Sequence, residues 1–338
     1  MSYKFDSVQL DLPETQKDRQ TIPDWLKGVA IVLMVYGHVT HVGSASFLQK
    51  NIVSIIYTFH MPLFLVISGF FLNTTKNINV ALKGLFRGIV LPYFIFISLY
   101  LFGLILVQQV GIHTNNAPPI SMIDFLDIVF IHPRGGYWFL HSLLLLQLSI
   151  LASRYLVSRS NQEVPLANIV SICLIALVCK FGLLLPRTAV FFLVGMAMRK
   201  FSNLLPASVY TGLLLLIIIV LVGAEDIFTF SLVQTAWVMS ILLVLAGLGL
   251  VLSNTAFFSM MSWVGCNSLI VLLLHAIFVV ILKPLARPFL LGDSSGVSYS
   301  IMVTLIAVYG SLTVAKFLDQ LRWSRIIFGA DKIFIIRK

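Results

Sequence analysis

The stretch DWLKGVAIVLMVYGHVTHVG, residues 24–43, decides the fold. Between Lys27 and His38 it holds only apolar or small side chains and Tyr36, and with its flanks it reaches the ~20 residues an α-helix needs to cross a hydrocarbon layer. Lys27 and His38 are eleven positions apart, about 1100° of helix rotation and so roughly 20° past three full turns. The two side chains therefore share one helix face, about 16 Å apart along the axis. A cation stands at the mouth of that face and a titratable base lies at depth. Two plainer roles fit the same geometry: Lys27 snorkelling as a topology anchor, and His38 bonded to a neighbouring backbone carbonyl.

The remaining sequence extends this pattern. Of 338 residues, 59% are hydrophobic and 11% charged, whereas a soluble domain carries about a quarter charged residues. Mean hydropathy is +0.99. Further apolar runs at 52–73, 85–110, 137–156, 166–185, 188–198, 207–223, 232–252, 263–282 and 299–320 bring the expected spans to ten. The fold class is thus all-α, a polytopic membrane helix bundle. The run 188–198 is the weakest, too short to cross a ~30 Å core unaided. A polar leader at 1–23, a membrane domain at 24–320 and a basic tail at 321–338 complete the division. The leader lacks the basic start and adjacent apolar core of a cleavable signal peptide.

Net charge is +10, but the basic residues are scattered over short gaps instead of gathered on a polar module, which argues against nucleic acid as partner. They set orientation. An N-terminus inside puts seventeen of the 23 Lys and Arg in inner segments and six in outer ones, so both termini are predicted to be cytoplasmic. The longest outer segment, 111–136, contains a small apolar stretch at Phe125 to Ile131 that suits a re-entrant cover. Cys173, Cys179 and Cys266 all lie in apolar stretches, which supports neither a disulfide framework nor a metal site. No internal repeat of the transporter kind is visible.

Polar side chains inside the hydrocarbon layer call for a reason. Those present are His38, His41, His60, Ser68, His141 and His275; no Asp or Glu falls in the middle of a span, which weighs against a carboxylate proton relay. His41 lies 60° further round the first helix than His38, placed to orient it or to line the outer mouth. In the second span Pro62 removes an amide and frees a carbonyl near Thr58 at membrane depth. Ser68 and Gly69 offer a small, close-approach surface that serves a substrate or helix packing. Lys76, Lys83 and Arg87 have offsets of seven and four, one side of a helix, which suits a phosphate-rich ligand at the inner surface. His141, amid leucines, reads as a satisfied helix contact, and His113 and His132 as loop histidines.

The stretch from Asp24 to His38, then FHMPLFLVISGFFL at 59–72, LPYF at 91–94, YWFL at 137–140, FFLVG at 191–195 and VGCNSLIVLLLH at 264–275 together resemble the acyltransferase-3 family of bacterial membrane acyltransferases. The FHMPLF and late G-x-x-S-L forms look closest to its fucose O-acetylase-like branch. The family signature in the first helix is an Arg, ten residues, then His; here Lys27 occupies the Arg position, and Lys offers a point charge without the bidentate fork. The resemblance implies a ten-helix bacterial inner-membrane enzyme that carries an acyl group, commonly acetyl, from cytoplasmic acetyl-CoA to a hydroxyl of an envelope glycan, exopolysaccharide or lipid-linked sugar. No metal is expected. On that basis Lys27, Lys76, Lys83 and Arg87 are expected to hold the CoA phosphates and His38 to act as general base or acyl carrier. His60 would supply a second base or stabilise the oxyanion, and Ser68, Gly69, Trp138, His275 and His41 would shape the acceptor side. An exporter or flippase-like transporter of a glycan precursor also fits a ten-helix bundle with a polar seam. So does a scaffold among polysaccharide-synthesis proteins.

Overall fold

The computed structural model describes residues 14–74, 77–109, 111, 117–158, 164–200 and 209–335, with side chains described from residue 22 onward. Every regular element among them is helical. The helices are α1 (Glu14–His38), α2 (Ser46–Phe71), α3 (Ile78–Leu85), α4 (Leu91–Gln109), α5 (Met122–Phe130), α6 (Tyr137–Ser158), α7 (Val164–Lys180), α8 (Pro186–Lys200), α9 (Val209–Gly223), α10 (Leu232–Val251), α11 (Ala256–Cys266), α12 (Ser268–Leu282), α13 (Ala286–Gly292), α14 (Val297–Gln320) and α15 (Ser324–Ile327). Among the described residues each of the ten apolar runs overlaps at least one helix. Six helical stretches among the described residues are long and apolar enough to cross a membrane.

Several boundaries differ from the sequence reading. The helix of the first span reaches back to Glu14, into the stretch assigned to the leader. The run 263–282 is two helices, because Asn267 ends α11 and its side-chain amide donates to the Trp263 carbonyl instead of letting the helix continue. The apolar stretch after Met122 forms α5, a nine-residue helix too short to span. It is moored from behind: the Tyr93 hydroxyl donates to the Val129 carbonyl, and His141 Nε2 donates to the Phe130 carbonyl at 3.0 Å. α8 keeps to Pro186–Lys200, about 22 Å at 1.5 Å per residue.

Lipid offers apolar side chains no reason to prefer each other, so close backbone approach has to hold such a bundle. Glycine pairs do this at two crossings. A Cβ on Gly28 would lie 1.8 Å from the Met261 carbonyl oxygen and one on Gly265 1.7 Å from that of Asp24, so α1 and α11 touch backbone to backbone. Gly69 and Gly195 bring α2 against α8 in the same way. α1 is the central strut, meeting α2, α10, α11, α12 and α14. Trp25 pins it to α10 through an indole hydrogen bond to the Leu245 carbonyl, 2.8 Å. Outward-facing apolar residues such as Phe102, Ile217 and Leu221 are left exposed, as a bundle solvated by lipid requires.

At the His38 end the α1–α2 loop is clasped by the loop before α14. The amides of Ser44 and Ala45 donate to the carbonyls of Ser294 and Ser295, and Gly43, at φ +83°, has no room for a Cβ beside them. Asp293 organises the second loop: the Ser295 hydroxyl and the amides of Ser295 and Ser298 donate to its carboxylate. The Ser295 hydroxyl foremost, with the Ser298 amide, holds this carboxyl well below the usual carboxylate range. A depressed acid stabilises the folded form above its ordinary pKa, and that contribution is lost as pH falls through the folded value. Protection of the Ser44 and Ala45 amides in hydrogen exchange is therefore expected to persist down to roughly pH 3. In Asp293→Asn it should be weaker at every pH above that.

At the opposite end the chain after α15 folds back as a strap. Asp319 accepts from the amides of Ile333 and Phe334 and from the Ser324 hydroxyl. Asn267 accepts from the Ile335 amide and donates to its carbonyl, which also takes the Trp263 indole N–H. The basic tail of the sequence reading is in part a packed segment.

Candidate active site

One stripe of α1, Lys27, Ile31, Met34 and His38, follows the helical i, i+4, i+7, i+11 spacing; Ile31 and Met34 are buried, Lys27 is half-buried, and His38 is exposed where it lines its cavities. Its first half faces one cavity and its second half another. Lys27 and Ile31 line a chamber of about 460 Å³ with Phe64, Ser68, Gln147 and Ser268 among its other walls. Met34 and His38 line a chamber of about 280 Å³ with Tyr57, His60, Trp138, Arg187 and Gln234. Met61 borders both. His38 also opens onto a third cavity, about 150 Å³, beside His275, Tyr100, Tyr137 and Lys283, and Leu272 borders this one and the Lys27 chamber. Met61 and Leu272, each more than nine-tenths buried, thus form a septum between the Lys27 side and the His38 side. The cation at the mouth of the stripe and the base at its depth thus face separate compartments.

Three histidines converge beyond the septum. The ring centroids of His38 and His275 are 5.3 Å apart, those of His38 and Tyr57 6.1 Å, and those of Tyr57 and His60 5.2 Å. His60 Nδ1 lies 2.8 Å from the Ile56 carbonyl, and His275 Nδ1 lies 2.9 Å from that of Leu272. A carbonyl can only accept, so Nδ1 of His60 and of His275 carries a proton, and in the neutral ring Nε2 keeps its lone pair. In that form these two rings can act as bases beside His38. Tyr57 donates its hydroxyl to the Gly37 carbonyl at 2.8 Å, and Gly37 makes space for the ring, since a Cβ there would stand 2.6 Å from it. Gly136 lies between the two His38 cavities and leaves room beside His275.

On the other side Lys27 is not a bare cation. Its Nζ lies 2.7 Å from Asp24 Oδ1, and the Cys266 thiol donates to Asp24 Oδ2 at 3.1 Å. The pair is half-buried at the chamber mouth, where an anionic ligand would have to share Lys27 with Asp24. Arg87 lines an adjoining open cavity of about 400 Å³ bordered by Phe328, Gly329, Ala330 and Ile333 of the strap. Gly88 and Leu269 border that cavity and the Lys27 chamber alike.

The expected site residues separate accordingly. His38, His60, His275 and Trp138 meet around the 280 and 150 Å³ cavities, and Ser68 lines the Lys27 chamber. Gly69 does not border these cavities and sits at the α2–α8 crossing, with its Cβ position 2.0 Å from the Phe192 carbonyl oxygen. His41 is also elsewhere: it bonds Gln49 and Ser300 and packs on Tyr36, tying the α1–α2 loop to α2 and α14. Lys83 is exposed and apart from Arg87's cavity. A wider π turn over Phe86–Val90 follows α3 and breaks the even offset on which a shared face depended. Lys76 lies outside the described residues. Tyr57, Arg187 and Gln234 were not anticipated; for Tyr57 the signal was its place three residues before His60, on the same helix face.

The family model for the acyltransferase domain of the acyltransferase-3 family matches residues 21–316, from the first turns of α1 that carry described side chains to the last turns of α14. No curated protein and no solved structure matches the chain. With the stripe, the septum and the histidine cluster all inside the matched span, the chain belongs to the acyltransferase-3 family, and it is a membrane acyltransferase.

Proposed function

We propose that the protein is an O-acyltransferase, in the simplest case an O-acetyltransferase of a bacterial inner membrane. It takes the acyl group from acyl-CoA on the Lys27 side and delivers it to a hydroxyl of a glycan or lipid-linked sugar on the His38 side. The observation that supports this reading is the α1 stripe, whose cation and imidazole border neighbouring compartments that share Met61 and Leu272 in their linings. Basic residues concentrated in the inner segments orient the Lys27 end toward the cytoplasm, with ten spans and both termini inside. Lys27 and Arg87 hold the CoA phosphates as charge-assisted partners, and the arm passes Ile31 toward Met61 and Leu272. His38 accepts the proton of the attacking hydroxyl. The new ester bond forms as the thioester C–S bond breaks, and the proton ends on the released CoA thiolate. An apolar septum keeps water from the thioester until the acceptor is seated.

The test is purified protein in proteoliposomes supplied with acetyl-labelled acetyl-CoA and cell-envelope glycans. Label on the glycan with equal release of free CoA is expected; movement of a glycan without thioester consumption would instead favour the exporter. In the same assay Lys27→Met is expected to raise the KM for acetyl-CoA by about tenfold with little change in kcat, the signature of lost donor binding. Lys27→Arg should keep the wild-type KM within a few fold.

A further inference from the structure

The 280 Å³ chamber contains groups that the transfer step does not use. Gln234 lies at the start of α10, its backbone amide engaged by the Ser231 hydroxyl. Its side chain borders the chamber, is 7% exposed, and its Oε1 is buried without a hydrogen-bond partner. Turning the amide over would leave a donor unpaired in the same place, so the mismatch does not depend on how the amide is assigned. A buried polar atom left unpaired in a cavity that also holds reactive side chains is a place waiting for a ligand group. Arg187, near the start of α8, lines the same chamber and is exposed at its rim. Among the described residues no carboxylate lines this chamber or its 150 Å³ neighbour, where Lys283 adds a second cation. Trp138, half-buried on the wall, offers a flat apolar face of the kind that carries the C–H face of a pyranose ring.

Building on the acyl-transfer reading, we propose that this chamber is the acceptor subsite and that its ligand is an anionic sugar. The ring stacks on Trp138 and presents one hydroxyl to His38. A second hydroxyl donates to Gln234 Oε1, and a carboxylate or phosphate on the sugar is held by Arg187. The charge argument selects the anion: a chamber with the Arg187 cation at its rim and no carboxylate among its lining residues favours a negative ligand over a neutral one. Arg187 pairs with either oxyanion through its planar fork, so uronate and sugar phosphate share this chemistry and the experiment must tell them apart.

Binding, measured by calorimetry on the full chain in detergent without any acyl donor, tests this apart from the chemistry. The probes are methyl glucuronide, glucose 1-phosphate and methyl glucoside. At least one anionic sugar is expected to bind tenfold or more tightly than methyl glucoside, the stronger of the two identifying carboxylate or phosphate. Arg187→Gln, a change at an exposed position, is expected to reduce that preference to threefold or less. Gln234→Leu should weaken all three probes, with an unchanged melting temperature confirming that the variant is folded. Equal binding of neutral and anionic sugars, an undiminished preference in Arg187→Gln, or no binding of any probe overturns the proposal. Failure of the acyl-transfer reading would appear separately, as absent CoA release in the labelled assay while anionic sugars still bind.

Discussion

His38→Ala is expected to lower the rate of acyl transfer by about a thousandfold, within the range seen when a positioned acid–base group is removed, while leaving the affinity for acetyl-CoA unchanged. The reason is positional. His38 borders both cavities beyond the septum and continues the stripe that starts at Lys27, whereas His60 and His275 are each tied by Nδ1 to a carbonyl of their own helix. Those two assist a base that already sits on the path, so His60→Asn and His275→Asn should cost less, on the order of ten- to a hundredfold. Initial rates of label transfer in proteoliposomes, with donor affinity measured separately, check the ranking. Equal rates in wild type and His38→Ala would remove His38 from the chemistry.

The second large effect concerns the fold. Gly265→Val places a branched side chain where even a Cβ would stand 1.7 Å from the Asp24 carbonyl oxygen. The obstacle is backbone, which cannot swing aside as a flexible side chain would, so the loss should exceed the ~1–3 kcal/mol typical of an overpacked core. Gly28→Val meets the Met261 carbonyl from the other side and should behave alike. Both variants are expected to yield little monodisperse protein on detergent extraction. Gly103→Ala in α4, with nothing within 4 Å of the added methyl, should instead be neutral or stabilising by up to about 1 kcal/mol, since alanine is the better helix former. Unfolding followed by tryptophan fluorescence measures all three. A Gly265→Val protein as stable as wild type would show that α1 and α11 do not meet as described.

What the sequence made legible followed from local periodicity. Apolar runs located the helices, and the eleven-residue spacing put Lys27 and His38 on one face of α1. His141 was correctly expected to be satisfied by a backbone contact, here the Phe130 carbonyl. What escaped depends on partners distant in the chain. For Gly69 the sequence left a substrate and helix packing both open and could not name α8 as the partner, and His41 is held by Ser300 from the far end of the sequence. The break at Asn267 is hidden by apolar residues on both sides and arises because the strap returns to meet its side chain. Arg187 and Gln234 become neighbours of His38 only through tertiary packing, for which one-dimensional pattern has no signal.

The strap has a consequence for how the chain can be shortened. Residues 328–333 supply one wall of the Arg87 cavity, and they lie past residue 316, where the family match stops. Cutting the chain after Gln320 would leave all ten apolar segments in place yet remove that wall, leaving Arg87 with Gly88, Cys266, Asn267, Leu269 and Ile270 around the cavity. In the acyl-transfer reading that side holds the donor's phosphates, so the shortened protein is expected to bind its donor less tightly and to lose the contacts that Asp319 and Asn267 make with the strap.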